Sequence, residues 1–359
     1  MTSWAADSSK VLAGGAGYGN APMGLYLRHP LSFEHDTGGH PENAGRIAAI
    51  EEAVSAAGWH GLELVEAPAA TREQLERVHS TELIESIESL SAAGGGMVDL
   101  DTVASARSYE AALHAAGGAV HAVDLMLGNG DGHRLAFCGL RPPGHHAERG
   151  AAMGFCLFNN VAVAVSQALA EHGLERAMVV DWDVHHGNGT QDVFYESSEV
   201  LFASIHQSPL YPGSGHPDET GSGAGEGFTV NLPVAPGAGP DEFLSLVQHL
   251  IVPLARSFEP QLLAISAGYD AHRDDPLAEC MLDERAYAEM AASLRDLAAE
   301  IAAPVLVCLE GGYALGALAA SASATLAALT GSEAARIAPA EPAQSRRERL
   351  LARWPELAR

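Results

Sequence analysis

The chain has 359 residues, 47% of them hydrophobic, and a formal net charge of −26. This length and hydrophobic content allow a large buried core, whereas so acidic a composition argues against a nucleic-acid-binding protein, whose contact surface is normally basic. The single lysine, Lys10, lies in a Gly- and Ala-rich amino-terminal segment, which argues against a Schiff-base lysine and a phosphate-loop lysine.

Cysteine usage and hydropathy indicate the compartment. None of the four cysteines has Cys-x-x-Cys spacing, so we interpret them as free thiols of a reducing environment. They are Cys138, Cys156, Cys280 and Cys308. The first 25 residues lack a secretory signal pattern, and no run approaches the ~18 apolar residues of a spanning helix. We expect a cytoplasmic protein with no membrane partner, and the sequence leaves open whether it forms a homo-oligomer.

The first 128 residues predict short strands alternating with helices. The predicted elements are a flexible tail over 1–22, a strand over 24–28, a loop over 34–43, a helix over 42–58, a strand over 62–66, a chain break over 94–96 and a helix over 105–126. Thr71 is expected to cap a further helix, with Gln74 at the capping-box position. Asp99 and Asp101 precede the last helix and could cap it. The two histidines of the loop are expected at a rim, because no strand positions them.

From residue 135 the pattern repeats as apolar strand, polar strand end and helix. The predicted strands are 135–140, a strand beginning at 178, 200–206, 229–234, 262–266 and 305–309, and the predicted helices are 155–171, 241–257, 283–302 and one ending at 329. The Gly-rich segment 211–227 lacks a following Gly-Lys-Ser/Thr, so it predicts a mobile loop and no phosphate cradle. The tail over 336–359 is predicted to form a short amphipathic helix that packs on the body.

This alternation predicts one α/β domain over 23–335, with a mostly parallel sheet and helices on both faces. The carboxyl ends of parallel strands share one edge. Because strand side chains alternate, Asp181, Asp183 and His185 should project to one face. Three further strand ends bring polar residues to the same edge; these residues are His145 and His146, Asp270, and Tyr313.

This set of residues favours a metal centre. Two carboxylates and one imidazole, from Asp183, His185 and Asp270, suit Zn²⁺, Fe²⁺ or Mn²⁺ with open positions for water and substrate. His145 and His146 adjoin that set without being needed as ligands, and an unliganded histidine beside a metal site is suited to act as a general base.

Tyr313 follows two glycines that permit a close approach, so its hydroxyl could donate to a developing oxyanion. Together these residues indicate metal-assisted hydrolysis of a carbonyl compound. An isolated Asp-x-Asp-x-His strand end could equally cap the following helix, but four polar strand ends at one edge favour a site.

Four motifs resemble those of the superfamily of histone deacetylase-like proteins, acetylpolyamine amidohydrolases and acetoin-utilisation proteins. In chain order they are RPPGHHAERGAAMGF, DWDVHHGNGTQ, SAGYDAHRDDP and LEGGY. The resemblance is colinear from about residue 34 to residue 329, and the forms RPPGHHAE, NGTQ and EGGY are similar to the class II and bacterial branch. It implies the three-layer arginase/deacetylase-like fold and a zinc-dependent deacetylase.

By that resemblance one zinc ion is bound by Asp183, His185 and Asp270. His146 is the principal general base and later acid, and His145 is its electrostatic partner. Zinc activates a water molecule that attacks the amide, and the products are acetate and a free amine.

The resemblance also implies a structural potassium ion and a substrate tunnel. The potassium and supporting residues are Asp181, which hydrogen-bonds His145, together with Ser204, Ile205, Asn188 and main-chain oxygens near Asp183 and His185. Phe155, Gly154 and Tyr211 match the tunnel walls, and Asp101 matches a rim carboxylate that holds the substrate backbone. Tyr313 matches the residue that holds the oxyanion together with zinc.

Two positions decide the finer expectations. Leu277 occupies the gatekeeper position where polyamine-specific relatives carry Glu, which favours acyl-lysine or a similar acyl-amine over an acetylpolyamine, although the acidic surface favours the latter slightly. Asn188 stands where the class I branch has Asp, so His146 is expected to lack a carboxylate partner and to favour its neutral form. Two alternatives stay open: a binuclear manganese ureohydrolase that also uses Asp181, and a non-catalytic acyl-lysine binder.

Overall fold

An eight-stranded parallel sheet forms the centre of the computed structural model, which describes residues 24–128, 132–331, 341–351 and 353–355. The strands are β1 (Leu25–Arg28), β2 (Glu63–Glu66), β3 (Gly95–Met97), β4 (Val103–Ser105), β5 (Leu135–Cys138), β6 (Ala177–Asp181), β7 (Val200–Gln207), β8 (Thr229–Val234), β9 (Leu262–Ala267) and β10 (Val305–Leu309). The sheet order is β2-β1-β5-β10-β9-β6-β7-β8, and β3 and β4 form a separate antiparallel hairpin. The predicted tail over 1–22 lies outside the described residues.

The helices cover both faces of this sheet. They are α1 (Leu31–Glu34), α2 (Gly45–Ala56), α3 (Arg72–Glu76), α4 (Thr81–Ala92), α5 (Ser108–Leu127), α6 (Asn160–His172), α7 (Asn188–Phe194), α8 (Pro240–Leu246), α9 (Val252–Phe258), α10 (Glu284–Glu300), α11 (Leu315–Leu329) and α12 (Glu341–Leu350). A π-helical turn over Val247–Ile251 joins α8 to α9, so the helix predicted over 241–257 is present in three parts.

Alternation along the strands divides the core into two layers. In β6, Met178 and Val180 pack with residues of α2, α8, α9, α10 and α11, whereas Ala177 and Val179 pack with residues of α4, α5 and α6. A strand buried on both faces needs apolar side chains at every position, which explains its unbroken hydrophobic run. The predicted three-layer architecture is confirmed.

Several predicted boundaries are wrong for identifiable reasons. The helix predicted from residue 155 begins at Asn160, because Asn159 caps it by accepting a hydrogen bond from the Ala162 N–H at 3.0 Å. The helix predicted from residue 42 begins at Gly45. The capping box of Thr71 and Gln74 is confirmed.

The glycines over 94–96 lead into a hairpin, where the sequence predicted only a break. At its tip, Asp99 Oδ1 accepts the N–H groups of Asp101 and Thr102 at 2.8 and 2.6 Å. Neither aspartate therefore caps α5, which begins at Ser108.

The described part of the C-terminal segment contacts the body through Trp354. Its helix covers Glu341–Leu350, and Trp354, which follows it, is buried. The Trp354 ring meets Phe228 and Phe258 at centroid distances of 5.7 and 6.1 Å, and its indole N–H donates to Gly227 O at 3.1 Å. In the part of the chain that the structure describes, no helix has the length and hydropathy needed to cross a membrane.

Candidate active site

The carboxyl ends of β5, β6, β9 and β10 converge at one edge of the sheet. β10 pairs with β5 and β9, and β9 pairs with β6, so these four strands are consecutive neighbours. Loops from their ends carry the predicted ligands, His145, His146 and Tyr313, whereas Asp101 lies in the β3–β4 hairpin and Tyr211 follows β7. We call the buried group Asp181, Asp183, His185, Asp270, His145 and His146 the floor of the site. We call the loop residues above it, His40, Asp101, Phe155, Tyr211 and Leu277, the mouth.

Asp183, His185 and Asp270 lie close together at the centre of the floor. One ligand atom from each lies within 4.8 Å of the others. His185 Nδ1 is 3.2 Å from Asp183 Oδ1 and 3.1 Å from Asp270 Oδ2. Both aspartates are fully buried, and His185 is 8% exposed. The geometry brings together the three residues that the sequence predicted as ligands.

The local backbone differs from the prediction of one long strand. β6 ends at Asp181, whose Oδ1 accepts the Asp183 N–H at 3.1 Å. Asp183 Oδ1 in turn accepts the His185 N–H at 2.9 Å. These aspartate turns, rather than strand alternation, orient Asp183 and His185.

Glycines allow the backbone to pack directly against the two carboxylates. A Cβ atom at Gly268 would lie 2.0 Å from Asp183 Oδ2, and one at Gly311 would lie 2.0 Å from Asp270 Oδ2. The close approach lets the Gly311 N–H donate to Asp183 Oδ2 at 2.8 Å, while the Val184 N–H donates to Asp270 Oδ1 at 2.9 Å. Each carboxylate is thereby held in one orientation.

The donor set fits a divalent cation. Asp181, Asp183, Asp270 and Glu310 are all 0% exposed at this edge, and a buried carboxylate requires a cation or several hydrogen bonds to offset its desolvation. Burial opposes ionisation of His185, but hydrogen bonds and charges from Asp183 and Asp270 raise its pKa to about 10. The two carboxylates therefore stabilise positive charge beside them.

His145 is paired with a carboxylate. Its Nδ1 lies 3.0 Å from Asp181 Oδ2, and its Nε2 lies 3.8 Å from Asp183 Oδ1. Burial acts to lower the pKa of His145, but the charges of Asp183 and Asp181 raise it to about 10. Glu310 fixes the same loop by accepting the N–H groups of Gly144 and His145 at 2.7 and 3.1 Å.

His146 has the opposite environment. Burial, followed by the positive charges of His145 and His185, holds its pKa well below the ordinary value of 6.5. Its Nδ1 lies 2.7 Å from Asn188 Oδ1, and Asn188 Nδ2 donates to Glu148 Oε1 at 2.7 Å. As expected, the partner of His146 Nδ1 is an amide and not a carboxylate. The Glu148 carboxylate, however, bonds to the other end of that amide.

Tyr313 lies at the boundary between floor and mouth. Its ring meets Phe155 edge-on at a centroid distance of 5.7 Å, and the Arg46 guanidinium lies 5.1 Å from the ring centroid. Burial, reinforced by the charge of Asp270, raises the pKa of Tyr313 well above 10. The Tyr313 N–H donates to Asp275 Oδ2 at 2.7 Å, and the hydroxyl is held in its protonated form.

Aromatic rings and one glycine form the walls of the mouth. A Cβ atom at Gly154 would lie 2.4 Å from His146 Cδ2, so this position accommodates no side chain. Phe155 adopts a positive φ of 70°, which is strained for a bulky residue, and its ring meets His40 at 4.4 Å. Tyr211 faces His146 with a centroid distance of 5.2 Å and is 42% exposed. Residue 155 therefore belongs to the wall of the mouth rather than to a helix.

Asp101 and Leu277 complete the mouth. The Asp101 side chain is 73% exposed and lies 3.5 Å from His40 Nε2, so His40 is at the rim, as predicted. The same prediction is wrong for His35, which is 1% exposed and whose Nδ1 lies 2.6 Å from Ser108 Oγ. Asp275 Oδ1 accepts the Leu277 N–H at 3.0 Å. The Gly-rich segment beside Tyr211 contains a short 3-10 helix and is held by Glu219, which accepts the N–H groups of Gly215 and His216. Its mobility stays a prediction.

The residues predicted around potassium lie on neighbouring strands. Asp181 of β6 is directly opposite Ser204 of β7, and Ile205 follows in the same strand. His206 Nε2 lies 3.0 Å from the Gly215 carbonyl, so Nε2 carries the proton and Nδ1 accepts from the Ser204 hydroxyl at 2.9 Å. The lone pairs of Ser204 Oγ are consequently left for another partner.

Sequence reasoning missed a group of residues that hold the site together. Arg46 donates through Nε to Gly312 O at 2.7 Å and through Nη2 to Glu310 O. Glu42 pairs with both Arg46 and Arg141, and all three side chains are buried. No local pattern marks these pairs, because Arg46 and Gly312 are separated by 266 positions.

Known proteins are similar to this chain over the region that contains the site. A family model described as the histone deacetylase domain matches residues 40–329. A probable deacetylase of Archaeoglobus fulgidus is 40% identical over 311 residues, which cover 85% of this chain and 84% of that protein. A histone deacetylase-like amidohydrolase of Pseudomonas aeruginosa is 39% identical over 295 residues, covering 81% and 76% respectively.

The fold has a match among solved structures. The crystal structure of the HDA15 HD domain aligns with a TM-score of 0.87 at 34% identity, covering 94% of this chain and 97% of that chain. The predicted parallel sheet with flanking helices is thus the architecture of a structurally characterised group.

Proposed function

The chain belongs to the histone deacetylase family of amidohydrolases, and from that premise we propose that it is zinc-dependent and removes acetyl or other acyl groups from an acylated amine. The observation that carries this proposal is the convergence of Asp183, His185 and Asp270 beside His146. Two oxygen ligands and one nitrogen ligand match a catalytic zinc site, which keeps a position open for water or substrate.

We assign the metal to Asp183, His185 and Asp270, one ion per chain. When bound, zinc supplies Lewis-acid polarisation of the substrate carbonyl and lowers the pKa of a water molecule. The Gly311 and Val184 N–H groups keep the carboxylates oriented, so the ligands need little reorganisation on binding.

His146 is the proposed general base. Its Nδ1 is engaged by Asn188 Oδ1, an atom that only accepts, so Nδ1 carries the proton and Nε2 is free to take one from the attacking water. Its lowered pKa keeps it neutral before that transfer. His145, paired with Asp181, remains cationic and is the proposed electrostatic partner.

Tyr313 is the proposed oxyanion donor. Its pKa, raised above 10, preserves the hydroxyl proton, which is donated to the carbonyl oxygen as negative charge develops there. The protonated His146 then gives its proton to the leaving amine, so that acetate and a free amine depart.

We further propose a structural potassium ion held by Asp181, by Ser204 Oγ and by main-chain oxygens of Ile205 and its neighbours. Support comes from the register that places Asp181 beside Ser204 and from the uncommitted lone pairs of the Ser204 hydroxyl. Such an ion would offset the carboxylate charge behind the floor.

The proposed substrate is an acyl-lysine or a similar long acyl-amine. The apolar, partly buried Leu277 at the mouth favours an aliphatic chain. An acetylpolyamine is the second candidate, because the exposed Asp101 and the net charge of −26 favour a cationic partner. A binuclear ureohydrolase is disfavoured, since it would leave the adjacent pair His145 and His146 and the buried Tyr313 without a role. The cytoplasmic location, the single domain over 23–335 and the absence of a nucleic-acid partner stay predictions.

The test compares acetyl-lysine peptides, acetylated polyamines and longer acyl-lysines by kcat/KM at matched concentrations, with zinc content measured in the same samples. His146→Ala and Tyr313→Phe are each expected to lower deacetylation by about 10² to 10⁴-fold with zinc retained. Full activity in both variants would contradict the assigned roles, and about two manganese ions per chain would favour the ureohydrolase.

A further inference from the structure

The Asn188 side chain connects the proposed general base to a carboxylate that the mechanism does not use. We propose that Glu148 fixes the orientation of the Asn188 amide and thereby the tautomer of His146, which makes Glu148 a positioning residue for proton transfer. The inference rests on the proposed function in one respect, the role of His146.

The hydrogen-bonding capacity of the three groups allows only one arrangement. Oxygen and nitrogen of an asparagine amide are nearly isosteric, so the surroundings decide which atom faces which partner. Glu148 Oε1, 2.7 Å from Asn188 Nδ2, can only accept, and this requires the NH₂ group to face it. Asn188 Oδ1 then faces His146 Nδ1 at 2.7 Å and requires a proton there.

The reversed amide would impair the base. With Nδ2 facing His146, Nδ1 would become the acceptor and the neutral ring would carry its proton on Nε2, where it cannot receive another. Reversal would also set Asn188 Oδ1 against the Glu148 carboxylate. The other contacts of Nδ2, to His146 O and Met153 Sδ, are both 3.4 Å long and discriminate weakly.

Glu148 is itself fixed by its backbone. Its carbonyl oxygen lies 3.0 Å from His79 Nδ1, and its N–H donates to Ala151 O at 2.9 Å. His79 Nε2 accepts the Asn159 N–H at 2.8 Å, so His79 Nδ1 is the donor to Glu148. His79 thus holds the main chain of Glu148, while the Glu148 carboxylate accepts from Asn188 and Asn188 Oδ1 faces His146.

Steady-state kinetics distinguish orientation from charge. In the zinc-loaded protein, Glu148→Ala should lower kcat about tenfold with KM changed less than about twofold, because the base and not substrate binding is affected. Glu148→Gln should keep kcat within about threefold of the wild type, since its amide oxygen can still accept from Asn188. Equal losses in both variants, or no loss in Glu148→Ala, would overturn the inference.

A double-mutant cycle sharpens the same point. A carboxylate has no donor to present, so the Asn188→Asp variant needs no neighbour to orient it. Glu148→Ala should therefore cost less than about twofold in the Asn188→Asp background. A cost that stays about tenfold in that background would show that Glu148 acts by a route other than Asn188.

Nitrogen-15 NMR reports the tautomer of the His146 imidazole independently of enzyme activity. In metal-free protein, the His146 resonances, assigned by their loss in His146→Ala, should show the proton on Nδ1 in the wild type and a shift toward Nε2 in Glu148→Ala. Asp192→Ala is the matched control, because Asp192 accepts the Arg149 N–H of the same loop at 3.0 Å, whereas Asn188 Nδ2 donates to Glu148. It should change neither tautomer nor kcat.

The proposed function and the role of Glu148 can be refuted separately. A wild type that lacks deacylase activity while its His146 tautomer depends on Glu148 would refute the proposed function and leave standing only the control of the His146 tautomer by Glu148. An active wild type whose tautomer is the same in Glu148→Ala would refute the inference alone.

Discussion

The floor and the mouth of the site are built in different ways. The floor residues follow the ends of buried strands, and the carboxylates of Asp183 and Asp270 each accept backbone N–H bonds in addition to the contact with His185. The mouth residues stand on loops, where Asp101 and Tyr211 are 73% (side chain) and 42% exposed. The carboxylate charges of the floor are therefore fixed in position, while side chains of the mouth can vary without disturbing them. From this difference we propose that the floor determines the reaction and that the mouth determines which acyl-amine is admitted.

The largest effect should come from removing a floor carboxylate. Asp270→Ala takes away one of three proposed ligands, so we expect zinc content to fall below stoichiometric and deacylation to drop by about 10³-fold or more. The measurement is metal analysis with kcat/KM on one acetyl-lysine peptide. Asp274→Ala, which removes an exposed carboxylate four positions away, is the control and should keep both. An Asp270→Ala protein with full zinc and turnover would break the distinction between floor and mouth.

The second effect concerns the buried ion pairs beside the floor. Burial would raise the pKa of Glu42, but the charge of Arg141 and hydrogen bonds from His35 and Arg141 hold it well below 4.5. Glu42→Gln leaves two buried guanidinium groups without their anion, and we expect the free energy of unfolding at pH 7 to fall by about 3 kcal/mol. Urea titration measures it.

The pH dependence of that difference follows from the direction of the shift. A lowered pKa gives stability that is present above the unfolded-state pKa, about 4.3 for Glu, and lost as the pH falls toward the folded-state value. The gap between wild type and Glu42→Gln should hence narrow below about pH 4. Glu51→Gln, which breaks the partly exposed pair with Arg28, is the control and should cost less than about 1 kcal/mol. A gap that widens in acid would refute this account.

Asp275 joins the two regions, and its replacement should affect both to an intermediate degree. It accepts the N–H groups of Tyr313 and Ala314 on one oxygen and that of Leu277 on the other. In Asp275→Ala we expect kcat to fall about 10- to 100-fold as Tyr313 loses its position, with zinc retained. Discrimination between acetyl and longer acyl chains should weaken in the same variant. Unchanged discrimination alongside a lower kcat would separate the two loops.

The smallest effect should come from the mouth alone. Leu277→Glu places a carboxylate where a cationic substrate amine would pass, so the kcat/KM ratio of acetylated polyamine to acetyl-lysine peptide should rise about five- to tenfold. Leu277→Gln tests shape without charge and should leave the ratio within about twofold. If Glu and Gln shift the ratio equally, charge at the mouth does not select the substrate.

The sequence was sufficient for the parts of the molecule that follow from local pattern. Unbroken apolar runs ending in polar residues located the strands of the sheet, and the shared direction of parallel strands predicted that Asp183, His185 and Asp270 would meet. The motifs predicted the family, which the comparisons confirm. The orientation of Asp183 and His185 was predicted for the wrong reason, because aspartate turns and not strand alternation orient them.

Pairings between distant segments were beyond such reasoning. Asp275 lies within a quoted motif, yet its hydrogen bonds to Tyr313 and Leu277 depend on two loops that meet only in the folded chain. Glu148 also lies within a motif, and the expectation that His146 lacks a carboxylate partner overlooked it because Asn188 stands between them. The prediction of a helix start at Phe155 was wrong for a related reason. The positive φ of Phe155 is stabilised by its surroundings in the folded chain rather than by the local sequence.

The contact of Gly268 and Gly311 with the floor carboxylates has a consequence for how this protein can diverge. Any side chain at either position would occupy the space of a carboxylate oxygen, so codon changes there are expected to abolish the site rather than retune it. A mutant library aimed at new acyl donors would gain nothing by randomising these two codons. Substitutions that change selectivity should instead lie among the loops of the mouth, where evolution can alter one residue at a time.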